Sequence, residues 1–164
     1  MGGVMRGAIH LFLAFVLAQS PMLPDPATGR NTPQHIAVAT STSASAAAPG
    51  SKVSLFLDVT PNRGIHVYAP GTKDYLPIAL TLTPPAGVTR GAVAYPKSET
   101  ITFDNEPVPV YQKPFRLTQD VTVPQDAAAG STLAIAGVVD YQACDDVICF
   151  KPAKIPVTWT LTVK

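Results

Sequence analysis

The chain has 164 residues, 12 Lys and Arg against 11 Asp and Glu, a formal net charge of +1, and only 14% charged residues. So even a balance, with no basic run, excludes an electrostatic footprint for nucleic acid. The 17 prolines, about twice the usual share, exclude a helical bundle, because each interior proline costs a helix roughly 3 kcal/mol. No P-loop, Rossmann glycine fingerprint or HExxH helix is present.

Residues 1–18 begin with one charge, Arg6, and continue through an apolar run centred on Leu11, Phe12, Leu13, Phe15, Val16 and Leu17. The run is too short for the roughly 20 residues that span a bilayer. A charged start, a short apolar core and a small-residue exit at Val16-Leu17-Ala18 predict a cleaved signal peptide, with a retained anchor as the alternative. The mature protein is then expected to be exported, with equal numbers of basic and acidic residues.

Residues 19–51 are rich in Pro, Thr, Ser and Ala, and the tract from Thr40 to Gly50 offers nothing large to bury. Such a segment does not offset its ordering entropy, so a flexible tether is expected, with His35 inert inside it.

From Lys52 the pattern turns to period two, which predicts strands. Val53, Leu55, Leu57 and Val59 share a face; Pro61-Asn62-Arg63-Gly64 turns the chain; Ile65 to Ala69 resumes it. Ile78, Leu80 and Leu82 alternate with polar or small residues, Val88 to Tyr95 is a weaker strand, and Phe115, Leu117 and Val121 alternate again. Leu133, Ile135, Val139 and Tyr141 follow, with a bulge expected at Gly137. The alternation Ile155, Val157, Trp159, Leu161, Val163 closes the chain. Short strands separated by turn signals over residues 52–164 predict an all-β, immunoglobulin-like antiparallel sandwich without a helix of normal length.

A sandwich is a scaffold, so function has to come from a site. The informative stretch is Tyr141-Gln142-Ala143-Cys144-Asp145-Asp146-Val147-Ile148-Cys149-Phe150-Lys151-Pro152, which holds the chain's 2 cysteines. Four residues separate them, at the join of two strands, where a turn brings two Cα atoms to disulfide distance. A bridge closing so small a ring stabilises by only about 2 kcal/mol. From spacing alone a structural staple and a redox pair both stand.

Three stretches resemble the family of the N-terminal periplasmic domain of the thiol:disulfide interchange protein DsbD. They are Gly64-Ile65-His66-Val67-Tyr68; Tyr95 to Phe115, with Thr102-Phe103-Asp104-Asn105-Glu106; and Tyr141-Gln142-Ala143-Cys144 with Cys149 and Pro152. The resemblance implies an immunoglobulin-like redox module that passes reducing equivalents from a membrane-embedded thiol donor to thioredoxin-like periplasmic acceptors. It further implies that Cys149 forms the mixed disulfide and Cys144 resolves it, that His66 and Tyr68 lie beside the pair, and that Phe103 caps it. Tyr141, Asp145 and Asp146 complete the expected surround, and Phe150 is a second candidate shield. Carboxylates at Asp140, Asp145 and Asp146 would disfavour a thiolate, although aspartate also favours tight turns. A monomer without cofactor or metal is expected. A stapled adhesion or assembly module, or a copper or zinc site built from Cys144, Cys149, His66 and the aspartates, is the alternative, although two thiols and one imidazole fall short of the usual four zinc ligands and copper would want more sulfur or His.

Overall fold

The computed structural model describes residues 1–2, 34–103 and 105–164. Apart from Met1 and Gly2, the expected signal peptide lies outside the described residues, as does the first part of the expected tether.

Among the described residues every regular element is a strand. In chain order these are β1 (Ile36–Thr42), β2 (Ala46–Ala47), β3 (Lys52–Pro61), β4 (His66–Tyr68), β5 (Ala79–Thr83), β6 (Thr89–Ala94), β7 (Glu99–Phe103), β8 (Glu106–Tyr111), β9 (Phe115–Thr122), β10 (Thr132–Tyr141), β11 (Ala143–Cys144) and β12 (Ala153–Val163). They form three four-stranded sheets, ordered β1-β3-β9-β6, β2-β12-β10-β5 and β11-β4-β8-β7. All pairings are antiparallel except the short parallel contact of β2 with β12.

The sandwich follows from the alternation of the long strands. In β3 the residues Val53, Leu55, Leu57 and Val59 are buried, and in β12 every second residue from Ile155 to Val163 is buried. These faces meet in one apolar core, joined by Leu117 and Val121 of β9, Ile135 and Val139 of β10, and Leu80 and Leu82 of β5. Trp159 fills its centre and donates its indole N–H to the Phe56 carbonyl at 2.9 Å, which gives its one polar atom a partner. The architecture is the all-β, immunoglobulin-like sandwich that the sequence predicts.

Three expectations need correction. Residues 34–51 are not a tether: β1 pairs along most of β3, from Ile36↔Pro61 to Thr42↔Leu55, and Ile36 and Ala47 are buried. An edge strand satisfies its backbone against its neighbour and needs little apolar surface of its own, so its composition resembled a linker's. Gly137 is not a bulge, because β10 keeps register with both neighbours through it, facing Val157 and Leu82. A Cβ there would stand 3.0 Å from Leu82 Cδ2 and 3.1 Å from the Thr81 carbonyl oxygen, so glycine is needed for close packing. The irregularity falls instead between Arg90 and Val93 of β6. Buried Gln119 on the neighbouring strand donates its amide to the Gly91 carbonyl there, at 2.7 Å.

The third correction concerns the expected cap loop. Residues 99–111 are a hairpin, with Phe103 at the end of β7 opposite Glu106 and Asn105 at φ 64° in the turn. Asparagine tolerates that left-handed conformation better than most residues. The hairpin, β4 and β11 make up the third sheet, which carries a small apolar cluster of its own: Tyr68, Val108, Val110 and Cys144, flanked by Tyr75, Ile101 and Phe103.

Candidate functional site

Three residues of β4 set the site. Gly64, at φ 75°, completes a turn in which the Ile65 N–H donates to the Asn62 carbonyl at 3.0 Å, and the chain then extends as His66-Val67-Tyr68. All three are buried, on two faces: Val67 joins the sandwich core, while Tyr68 joins the small cluster. Strand β11 pairs with β4 so that Ala143 faces Val67 and Cys144 faces His66. Residues directly opposite in an antiparallel pair project to the same side. His66, Tyr68 and Cys144 therefore share one face.

Cys144 and Cys149 are joined by a disulfide, with their Cα atoms 4.1 Å apart. The residues between them form a tight turn. The Asp145 N–H donates to the Ile148 carbonyl at 3.0 Å, and Asp145 Oδ1 accepts the N–H groups of Ile148 at 2.7 Å and Val147 at 2.8 Å. Those two N–H groups hold the Asp145 carboxyl below its ordinary range. Asp145 thus does turn chemistry, the second of the two roles weighed for it, and Asp146 is exposed beside it. The bridge is asymmetric: Cys144 is 0% exposed, whereas Cys149 lies at the surface. At the tip of the turn Val147 and Ile148 are 85% and 54% exposed, an unusual position for two large apolar side chains.

The Tyr68 hydroxyl lies 3.0 Å from Cys144 Sγ and 3.2 Å from Cys149 Sγ. Disulfide sulfurs carry no hydrogen, so the hydroxyl donates. Burial, reinforced by the neighbouring Tyr75, pushes the Tyr68 phenol up to about 12, which keeps that proton in place at any physiological pH. Tyr75 stacks on Tyr68 with ring centroids 4.2 Å apart and planes 10° from parallel, and Phe103 meets Tyr75 edge-on at 6.0 Å. Three rings therefore run outward from the sulfurs in the order Tyr68, Tyr75, Phe103. A cleft of about 660 Å³ lies on the outer side, between residues 71–75 and the hairpin, with Tyr75, Phe103 and Val108 in its wall. Gln142 ties the parts together, accepting the Leu76 N–H at 3.3 Å and donating to the Phe150 carbonyl at 3.3 Å.

The structure thus gathers Cys144, Cys149, His66, Tyr68, Asp145 and Asp146, with Phe103 as the outermost ring. Tyr141 is not part of this face: it is buried in the sandwich core, and its hydroxyl accepts the His35 N–H at 3.2 Å. Phe150 packs toward the same core and stacks on His35 at 3.8 Å, so the rings that continue outward from Tyr68 are those of Tyr75 and Phe103. His35 is correspondingly a packing partner and not a passenger. Asp140 is drawn into an ion pair with Lys154, the residue opposite it on β12. Tyr75 and Gln142 were not singled out from the sequence as members of the site. Among the described residues no three His, Cys, Asp or Glu side chains gather as metal ligands would.

The model of the family described as "Thiol:disulfide interchange protein DsbD, N-terminal" matches residues 34–158. Among solved structures, the N-terminal periplasmic domain of ScsB from Proteus mirabilis is similar over 79% of this chain, with a TM-score of 0.55 and 13% identity, a likeness of fold. This chain covers 47% of that one, about half its length. The reduced DsbD N-terminal domain from Neisseria meningitidis aligns over 72% of this chain and 82% of its own, with 18% identity and a TM-score of 0.41. A comparison with curated proteins gives no match.

Proposed function

Because the chain belongs to the family of the N-terminal domain of the thiol:disulfide interchange protein DsbD, we propose that it is a periplasmic carrier of reducing equivalents, exchanging electrons through Cys144 and Cys149. The observation that carries this reading is the asymmetric bridge, with one sulfur at the surface and one fully buried, both held by a single buried hydroxyl. In the reduced carrier Cys149 attacks the disulfide of an acceptor, Cys144 displaces the acceptor from the mixed disulfide, and a membrane-embedded thiol donor reduces the pair again. Tyr68 donates a hydrogen bond to whichever sulfur carries more negative charge. Thioredoxin-like proteins are the proposed acceptors, and the exposed apolar tip of Val147 and Ile148 is the surface offered to them. The purely structural reading is weaker, because the bridge spans one local turn and does not tie the sandwich sheets together.

A redox titration with parallel melting curves tests the assignment. The bridge is expected to open and close reversibly while the protein stays folded, with a stability loss no larger than about 2 kcal/mol on reduction. A bridge that opens only on global unfolding would make it a staple.

The ring stack makes a second expectation. An edge-to-face aromatic pair is worth about 0.5–1.5 kcal/mol, so losing Phe103 raises the exposed population, and the rate of reduced Phe103→Ala with oxidised glutathione, about 2- to 12-fold. Tyr75→Ala, which removes the ring lying directly on Tyr68, gives the larger increase. Equal rates for wild type and both variants would remove the stack from the mechanism.

A further inference from the structure

His66 has no task in the exchange described so far. Only 4% of its surface is exposed, and its Nε2 is buried with no hydrogen-bond partner among the described residues. A buried polar atom without a partner forfeits its hydration and gains nothing in return, so such groups ask for an explanation. Its position supplies one. His66 is the residue directly opposite Cys144 across β4 and β11, and its ring meets Tyr68 edge-on at 5.6 Å. Tyr68, Cys144, Cys149, Asp145 and Asp146 are the other titratable groups around it, with His35 close to Asp145.

The buried sulfur poses a proton problem. Cys149 is exposed and releases its proton to water, but Cys144 is 0% exposed and water does not reach it. Tyr68 touches both sulfurs but holds its own proton up to about 12, so it donates hydrogen bonds and does not accept a thiol proton. Burial outweighs the attraction of Asp146 and Asp145 and keeps the His66 imidazole neutral, with its pKa below the ordinary 6.5. A neutral imidazole has one nitrogen free to accept.

We propose that His66 takes the proton from Cys144 as that thiol resolves the mixed disulfide. The inference rests on the carrier reading above. In this step the Cys144 S–H proton passes to the imidazole and the freed electron pair forms the S–S bond to Cys149. The bond between Cys149 and the acceptor sulfur breaks, and the acceptor leaves as a thiolate with the bonding pair. Over both steps Cys144 and Cys149 lose two electrons and the acceptor disulfide gains them. The imidazolium then returns its proton to solvent or to the departing thiolate, and the two carboxylates beside it steady its transient charge.

Rapid mixing of the reduced protein with oxidised glutathione, followed by mass spectrometry of the mixed disulfide, separates formation from resolution. In the wild type the resolving rate is expected to level off above a midpoint below 6.5, where His66 is neutral. In His66→Phe, which keeps a ring in the cavity, resolution near neutral pH is expected to fall about 100-fold. It should then climb in proportion to hydroxide with no plateau, while formation of the mixed disulfide keeps its rate. A folded His66→Phe with the wild-type plateau and rate overturns the proposal and leaves the carrier reading intact. A wild type that never forms a mixed disulfide overturns both. Should the variant not fold, NMR titration of the wild-type imidazole decides: its midpoint and Nε2 resonance are expected to shift when the bridge is reduced, and identical curves in the two redox states overturn the proposal.

Discussion

Cys149→Ser is expected to bring exchange down to background, whereas Cys144→Ser should become trapped as a nearly stoichiometric mixed disulfide. Both substitutions remove one sulfur from the same bridge, and the difference between them lies in burial. Cys149 sits on the open side of the turn, where an incoming disulfide reaches it, and Cys144 is sealed beside β4 in the small cluster with Tyr68. Without Cys149, nothing accessible attacks. Without Cys144, attack proceeds but the covalent complex loses its escape, an intramolecular displacement whose effective thiol concentration is on the order of millimolar or higher. Incubating each variant with oxidised glutathione or a thioredoxin-like protein, and resolving the adducts on a non-reducing gel, checks this. Trapping by Cys149→Ser in place of Cys144→Ser would reverse the two roles.

The second large effect concerns where the folded body begins. A chain starting at residue 52 is expected to be less stable than one starting at residue 34 by at least about 3 kcal/mol, roughly a 10 °C fall in melting temperature. Burying Ile36 alone is worth about 1.5–3 kcal/mol, and removing β1 also strips the partner from most of β3, Leu55 to Pro61. The loss reaches the site as well. The ring of His35 stacks on Phe150, the residue after Cys149, and the His35 N–H donates to Tyr141, three residues before Cys144. Shortening the chain should therefore loosen the turn that carries the bridge. Identical melting of the two chains would restore the tether expected from composition.

What could be read from the sequence was decided by how each residue gains its stability. Strands β3, β9, β10 and β12 bury one face against the other sheet, and that leaves a period-two trace in the residues themselves. β1 buries only Ile36 among its seven residues, and its order comes from β3. The hairpin β7–β8 carries Pro107 and Pro109, and β7 has no buried residue, so its chemistry looked like a loop's. In the site, the joint presence of His66 and Tyr68 was legible because residues two apart on a strand share a face. Tyr75 was not, because a loop residue has no periodicity and its stack on Tyr68 exists only once residues 69–78 fold back. Asp140 was assigned to the sulfurs because its partner, Lys154, becomes its neighbour only when the register of β10 and β12 is known.

The three-residue strand β4 separates two environments, with Val67 turned to the sandwich and Tyr68 turned to the small cluster. Substitutions are therefore judged by different standards on its two sides. A change that enlarges or shrinks a residue in the sandwich disturbs nearly every strand at once, and few alternatives survive. A change near the hairpin turn, at Phe103 or Glu106, or on residues 71–76 falls outside the sandwich core, which the hairpin enters only at its far end, through Tyr111. Descendants of this chain can thus change the rim around the bridge at little risk to folding, while the sulfurs and the hydroxyl between them stay fixed.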